Sequence, residues 1–375
     1  MRRTLPARLK TTMKISEKIK SKKDKKPAAI TQQNLEESRE EIIAKGKKFK
    51  YPFQYAKHRL IINAILIGIV AVVAMGLVGW YQLYKAQNTG EVMYRFTRSI
   101  ALSVADVDGV KVRFSDYLML YRSSIASVER QQGAFDDSES SKQQKEYYKR
   151  QALSAAEDYS YAMHLLDEAG KAVTEAEIDE IIEEHKIIDG EKRSDEAFEG
   201  IIRDNFGLSI RDYRRLIMLS LAKKKASVEF DTEARETVEK IAETLKTNAD
   251  MAAVMKDFAE SETVSYELVE EVDYTNLDSG RAEAAALLAK PGDISDYFVS
   301  KNGDGYYIVK LKAKTDNKVS YESIWVRFRK IDSEMAKLRE DGKVKEMIDL
   351  GGDEEIVAPD EAETDESEDA EKSGE

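Results

Sequence analysis

The chain of 375 residues is long enough for one large domain or two to three modest ones, and 35% of its residues are charged. It contains no cysteine, which excludes disulfide bonds, zinc–thiolate sites and thiol nucleophiles. The net charge of −12 hides two opposite segments: residues 1–59 carry 18 Lys and Arg against 6 Asp and Glu, whereas the remainder carries 41 against 65.

An uncharged run of 25 residues lies between the two segments. It covers residues 60–84 and reads LIINAILIGIVAVVAMGLVGWYQLY. As a helix this run is about 37 Å long at ~1.5 Å per residue, more than the ~30 Å hydrocarbon core of a bilayer. A buried core helix would keep some polar face, and a cleaved signal peptide would be shorter and followed by a small-residue cleavage site. We therefore expect a single uncleaved transmembrane anchor that contacts membrane lipid.

The flanks of this run predict its orientation. The basic segments RLKTTMKISEKIKSKKDKK and KGKKFKYPFQYAKHR precede it, and basic flanks stay on the cytoplasmic side. We expect a single-pass protein of the cell membrane with a cytoplasmic tail at 1–59 and an extracytoplasmic part at 85–375. Nucleic-acid binding is the alternative for the tail, but the tail lacks an ordered aromatic or motif framework for it, so we expect no nucleic-acid partner.

Residues 85–228 are predicted to form a mostly helical domain with two short strands at its front. A helical extension leaves the membrane, the strand pair follows, and Ser115 is expected to cap the next helix. Thr174 and Glu177 form a capping box that predicts the start of a helix, and Ser209 predicts another start in the same manner. Apolar residues at helical spacing between these signals indicate one buried stripe on each helix.

The pattern changes to a mixture of strands and helices over residues 229–314. ASVEF, at 226–230, is a short strand candidate; a helix pair, the alternating strand VSYELVEEVDY and a short helix follow. The chain then forms a hairpin that turns at Asn302 and Gly303. The predicted order is β-α-α-β-α-β-β, an α+β arrangement.

The last segments are predicted to be a docking element and a tail. Residues 315–350 read as a further strand and an amphipathic helix, and we expect them to dock on the helical domain through an apolar face that includes Trp325, Met335 and Leu338. Residues 351–375 contain twelve acidic residues and one lysine, too little apolar area to order the segment, so we expect a disordered acidic tail.

Two parts of the outer region carry a family resemblance. Residues 104–228 contain VDGVKVRFSDY, LLDEAGKAVTEAEIDEII and NFGLSIRDYRRLI, and they resemble the SurA N-terminal chaperone domain. Residues 230–314 contain EARETVEKIAETLKTNADMAAVMKDFAES and LLAKPGDISDYFVSKNGDGYYIVKLK, and they resemble a parvulin-type (PpiC-like) peptidyl-prolyl isomerase domain. The combination is similar to the SurA-type and PrsA-type extracytoplasmic foldases. Together with the anchor predicted at 60–84, the resemblance implies an α+β chain with a single transmembrane helix, a mostly helical SurA-like domain and a small parvulin-like domain.

The sequence departs from the parvulin pattern at the residues that matter for catalysis. Parvulins typically carry one histidine in the first strand and a second in the hairpin strand, where this chain has Tyr307. The three histidines of the chain, His58, His164 and His185, all lie outside residues 226–330. An isomerase must lower a barrier of ~18–20 kcal/mol by gripping the twisted amide in a preorganised pocket. We therefore expect no catalytic residue, metal or cofactor.

What remains is a prediction of binding. The resemblance implies a membrane-anchored extracytoplasmic chaperone that holds unfolded or newly secreted polypeptides, and tyrosine and methionine side chains suit such adaptable contacts. An active isomerase on the same scaffold, and an adaptor that binds one native partner, remain the alternatives. The oligomeric state and the identity of the clients stay open. The candidate peptide-binding residues are Tyr307, Phe298, Tyr274, Tyr117 and Tyr121.

Overall fold

The computed structural model describes residues 32–57, 59–188, 190–276 and 278–351. These residues divide into two compact units, with the boundary between Leu77 and Val78. The first unit contains helix α1 (Gln32–Lys57) and most of helix α2 (Arg59–Tyr84). Helix α2 has no charged side chain after Arg59 and is long and apolar enough to cross a membrane. The predicted acidic tail, beyond its first residue, and residues 1–31 of the predicted basic tail lie outside the described residues.

The second unit is an α+β body, and its larger part is the helical lobe, which comprises residues 78–230 and 330–350. One apolar core holds this lobe together, with Tyr117, Leu153 and Leu219 among its fully buried side chains. After the end of α2, its elements up to residue 230 are α3 (Glu91–Ser99), β1 (Ser103–Val107), β2 (Val110–Arg113), α4 (Phe114–Gln132), α5 (Glu139–Glu168), α6 (Glu175–His185), β3 (Ile187–Ile188), β4 (Glu191–Lys192), α7 (Asp195–Phe206) and α8 (Ile210–Phe230).

Side-chain caps set most of the helix starts in this lobe. The capping box predicted before α6 is present: the Thr174 hydroxyl accepts from the Glu177 amide, and the Glu177 carboxylate accepts from the Thr174 amide. Ser209 caps α8 by accepting from the amide of Asp212. The predicted cap at Ser115 is wrong, because α4 already begins at Phe114, directly after strand β2, and Ser115 lies inside its first turn.

The smaller part of the second unit is the sheet lobe, residues 232–328. Four antiparallel strands form its sheet in the order β5-β8-β7-β6. Helix α9 packs on one face and helix α11 on the other, so each face has its own apolar cluster. The elements are α9 (Thr232–Thr247), α10 (Met251–Val254), a 3₁₀ turn (Met255–Phe258), β5 (Val264–Asp273), α11 (Arg281–Leu287), β6 (Phe298–Val299), β7 (Gly305–Lys314) and β8 (Lys318–Arg327).

The strand predicted at 226–230 is helical in the structure. Helix α8 continues to Phe230 because Ala226 and Ser227 lie on its buried face, so the helical packing extends through the segment. The interior strands of the sheet are β8, between β5 and β7, and β7, between β8 and β6. Strand β8 follows the hairpin in the chain.

The C-terminal segment is shared between the two lobes. Strand β8, expected on the helical domain, lies in the sheet of the sheet lobe, where Trp325 pairs with Tyr307. Helix α12 (Lys330–Glu340) packs on α5 and α8 and buries Met335 and Leu338 in the helical core. The predicted long helix ends early, because Gly342 takes a left-handed conformation and β9 (Val344–Glu346) then pairs with β1. The sheet lobe is therefore inserted between α8 and α12 of the helical lobe.

Candidate functional site

The chain passes between the two lobes twice, at residues 231 and 329, and one buried carboxylate holds both crossings together. Asp231, 5% exposed, caps α9 by accepting from the amide of Ala234 at 3.0 Å. The same side chain accepts from the amides of Arg329 at 2.7 Å and Lys330 at 3.0 Å, where the chain returns to the helical lobe. The entry and the exit of the sheet lobe are thereby fixed side by side, and this fixes the cavity that opens beside them.

That cavity, the junction crevice, has a volume of about 300 Å³ and is built from both lobes. Its apolar walls are the side chains of Tyr159, Phe328 and Ile331. The hairpin tip closes one end: Gly303, at φ +75°, approaches so near to α8 that an added Cβ would lie 2.9 Å from Cβ of Lys224. The polar lining residues are Ser220, Lys223, Lys224, Ser227, Asn302, Asp304, Arg327 and Asp332.

Two of the charged side chains in the crevice, Lys223 and Asp332, are paired with each other. Lys223 donates to Asp158 of α5 at 2.8 Å and to Asp332 of α12 at 3.2 Å. Burial lowers the pKa of Lys223, but the two carboxylates outweigh it and hold the pKa above its ordinary value. For Lys224 burial dominates, and its pKa lies below the ordinary value. The crevice therefore presents a mixed surface able to hold one side chain of an extended segment.

A second cavity, the α9 groove, has a volume of about 510 Å³ and lies within the sheet lobe. Its apolar lining comes from α9, from the loop before β6 and from β7, namely Ala242, Leu245, Ile294, Tyr297 and Ile308. Its rim carries three acidic side chains, Glu239, Glu243 and Asp296, against one lysine, Lys246. An apolar interior with an acidic rim favours apolar segments that are flanked by basic residues.

A row of three aromatic rings connects the two cavities. Tyr297 lines the α9 groove and meets Tyr306 edge-on, with ring centroids 5.6 Å apart. Tyr306 in turn meets Phe328, which lines the junction crevice, with centroids 4.8 Å apart. Tyr306 and Phe328 are buried, whereas Tyr297 is 37% exposed. The two buried rings therefore form an apolar wall between the two openings, and the candidate client site consists of the two cavities with the exposed edge of Tyr297.

Two of the residues predicted from the sequence lie on the opposite face of the sheet. Tyr307 is 5% exposed and stacks on Trp325 with centroids 6.1 Å apart and an interplanar angle of 10°. Phe298 lies beside it at 6.1 Å, and the guanidinium carbon of Arg281 lies 5.3 Å from the centre of the Tyr307 ring. Burial raises the pKa of Tyr307 above its ordinary value. The side chains of the protein itself thus fill the surroundings of Tyr307.

The structure does not bring the other three predicted residues to this place. Tyr274 is half-buried against the apolar cluster under α11 and donates its hydroxyl to the carbonyl of Thr315. Tyr117 and Tyr121 are 1% and 6% exposed in the core of the helical lobe, so they lie where a client has no access. Their roles are those of core residues, because α4 is buried along most of its first two turns.

The aromatic row itself was missed at the level of sequence. Adjacent residues of a strand point to opposite faces, so Tyr306 and Tyr307 have to serve different faces of the sheet. The resemblance to parvulins points only to the hairpin position of Tyr307, so Tyr306 was not predicted as a binding residue. The sequence does show that Tyr306 and Ile308 share one face of the strand and that Tyr307 and Val309 share the other. It does not show which face has a cavity, because that depends on how α9 and α11 pack on the sheet.

Comparison with known proteins gives one family. Residues 53–227 match the family model described as the SurA-like N-terminal domain. This match points to a chaperone-type function and to unfolded polypeptides as the general kind of partner. No curated protein and no solved structure matches the chain.

Proposed function

We propose that this protein is a membrane-anchored extracytoplasmic chaperone that holds unfolded or newly translocated polypeptides and does not catalyse prolyl isomerisation. The observation that carries the proposal is the SurA-like N-terminal domain at residues 53–227, together with an open crevice where that domain meets the sheet lobe. A holding chaperone needs adaptable apolar openings on a stable body, and the two linked cavities supply them.

The two cavities offer a client two separate apolar contacts. Tyr306 and Phe328 are buried and form the wall between the cavities, whereas the ring of Tyr297 is partly exposed in the α9 groove. A client would place one apolar side chain against Tyr297 in the α9 groove and another in the junction crevice. Each contact is small, which favours weak and promiscuous binding over tight recognition of one sequence.

Charge indicates which clients the site favours. Residues 60–375 carry 41 basic and 65 acidic side chains, and the rim of the α9 groove is acidic as well. A field of this sign raises the rate at which basic polypeptides meet the site. Newly translocated chains with basic and apolar segments are therefore the favoured clients, and binding should weaken as salt screens the field.

The packing around Tyr307 supports the absence of isomerase activity. Catalysis of proline isomerisation needs an open pocket that grips the twisted amide more tightly than the planar one. Here the equivalent surface is occupied by Trp325, by Phe298 and by Arg281 from α11. A substrate would have to displace this cluster before it reached the Tyr307 hydroxyl.

Membrane anchoring rests on helix α2 and its flanks. An apolar helix of 26 residues suits a bilayer, and the basic flank on its N-terminal side favours a cytoplasmic N-terminus. Residues 85–375 would then lie outside, where proteins leave the translocation machinery unfolded. The proposal therefore places the client site on the side of the membrane where clients of this kind emerge.

The test measures suppression of aggregation by the full chain in detergent micelles, with several unrelated unfolded clients. We expect suppression for all of them, and we expect Tyr297→Asp to require several-fold more protein, because the substitution puts a charge in the α9 groove. Leu287→Asp is the matched control, since Leu287 is 81% exposed and lies outside both cavities. Equal suppression by wild type and Tyr297→Asp would remove the groove from the proposal.

The two alternatives predict different results. An active isomerase would accelerate isomerisation of a proline peptide, and Tyr307→Ala would abolish that activity. An adaptor for one native partner would leave unrelated clients to aggregate. Isomerase activity would overturn the claim that the protein does not catalyse, and failure to protect unrelated clients would overturn the holding function. Protection of several clients without isomerase activity supports both.

A further inference from the structure

A further cavity of about 300 Å³ lies within the helical lobe, apart from the client site. It opens where α3, the start of α4 and the start of α8 meet. Four arginines line it, in a region of the chain whose net charge is strongly negative: Arg98, Arg113, Arg211 and Arg215.

Two of the arginines are fixed on the cavity wall by buried carboxylates. Arg98 donates to Asp212, with the closest N–O distance 3.1 Å. Arg215 binds Asp116 through two nitrogens, Nε at 3.1 Å and Nη2 at 2.5 Å. Because each carboxylate is committed to one guanidinium, these pairs are nearly neutral and serve to orient the remaining N–H donors.

The other two arginines leave the cavity with an uncompensated positive charge. Arg113 and Arg211 are exposed, and neither side chain has an ion pair or hydrogen bond within the part of the chain that the structure describes. The first turn of α4 supplies Ser115 and Asp116 to the lining; its Phe114 amide donates to the carbonyl of Leu102, and Asp116 is acidic, so this turn is not a source of positive charge. With four arginines against two aspartates, the lining carries a net charge of +2, which suits an oxyanion.

The position of the cavity indicates the source of that oxyanion. Helix α3, which carries Arg98, packs on the last turns of α2: the ring of Phe96 would lie 3.0 Å from a Cβ added at Gly79. Tyr84, at the end of α2, donates to the carbonyl of Ser103 at 2.7 Å and packs edge-on against Phe114. Exposed Trp80 marks this end of the helix as the level of the lipid headgroups.

We propose that this cavity binds the phosphate of an anionic phospholipid headgroup. The inference rests on the proposed membrane anchoring, because it uses the end of α2 to place the cavity at the membrane surface. The planar guanidiniums of Arg113 and Arg211 match phosphate oxygens, and the fixed pairs on the wall supply further donors. A bound headgroup would hold the helical lobe against the bilayer in one orientation.

The experiment is native mass spectrometry of the full chain, released from uncharged detergent after incubation with equimolar phosphatidylglycerol and phosphatidylcholine. We expect one phosphatidylglycerol to be retained in preference to phosphatidylcholine. The double variant Arg113→Gln, Arg211→Gln should bind it at least about tenfold more weakly, since two charged donors are lost. Both side chains are exposed, so the fold should persist, and circular dichroism verifies this.

The matched control is Arg130→Gln, Lys337→Gln, which removes the same charge from exposed sites outside the cavity. Equal retention by the cavity variant and this control, or no preference between the two lipids in wild type, would overturn the proposal. A third arm titrates inorganic phosphate. Binding of phosphate without retention of lipid would assign the cavity to a soluble anion and overturn the proposed lipid site. Flotation of the wild type with vesicles tests the membrane anchor separately. Suppression of client aggregation by the cavity variant tests the chaperone function separately.

Discussion

Replacing Asp231 by alanine should loosen the junction between the lobes without unfolding either core. The substitution removes one helix cap and leaves the amides of Arg329 and Lys330 without their acceptor. A lost cap costs about 1 kcal/mol. Each lost hydrogen bond to the charged carboxylate costs about 1.5 kcal/mol, the low end for such bonds because water reaches the exposed residues Arg329 and Lys330, so we expect a loss on the order of 4 kcal/mol. The loss should lower the free energy of local opening at the crossings, because both apolar cores remain complete.

Hydrogen exchange of the full chain, read by mass spectrometry, measures this local opening. Amides of the first turn of α9 and of residues 329–330 should exchange at least about tenfold faster in Asp231→Ala, while those of β7 and β8 keep their protection. Asp250→Ala is the matched control, because the Asp250 carboxylate caps α10 through Ala253 and has no role at the crossings. Unchanged exchange at residues 329–330, or an equal increase throughout the protein, would refute the role given to Asp231.

Two other predictions concern the interface between the lobes and the packing of α12. Gly303→Ala should lower the free energy of unfolding by more than Gly292→Ala does. Both glycines have positive φ, but only at Gly303 does the new Cβ meet Lys224. Urea titrations measure both losses, and equal losses would contradict this contact. Burial raises the pKa of Glu157 to about 7 despite the nearby Arg339, so its folded pKa exceeds the unfolded value near 4.5. The free energy of unfolding should then fall by ~3 kcal/mol as pH rises from 4.5 to 7, and Glu157→Gln should remove this fall; parallel pH profiles would contradict the reasoning.

Local signals in the sequence predicted the helical lobe well because its elements are set by neighbours in the chain. The Thr174–Glu177 capping box needs only residues three apart, and it begins α6 as predicted. The strand pair before α4 and the hairpin turn at Gly303 are equally local. The α+β class and the apolar helix α2 follow from composition and periodicity, and both are present in the structure.

The sequence failed where distant segments compete for one position. SVEF has the composition of a strand, yet the buried face of α8 continues through Ala226 and Ser227, and tertiary packing overrides local propensity. Strand β8 lies between β5 and β7, and its partner residues in β5 lie roughly 45 to 62 positions earlier in the chain, so the strand order has no local signal. The role of Asp231 at the crossings has no local signal in the sequence, because two of its partners lie 98 and 99 residues away.

The shapes of the two cavities depend differently on the crossings, because the sheet lobe is inserted into the helical lobe. The α9 groove is formed by α9, β7 and the loop before β6, so its shape is set within the sheet lobe. The junction crevice takes walls from both lobes, so its width depends on the contact between Gly303 and α8 and on the hydrogen bonds of Asp231. Loosening the crossings should therefore alter the crevice and leave the groove intact. Client holding by Asp231→Ala accordingly distinguishes the two: holding that persists places the main contact in the groove, and holding that is lost requires the crevice.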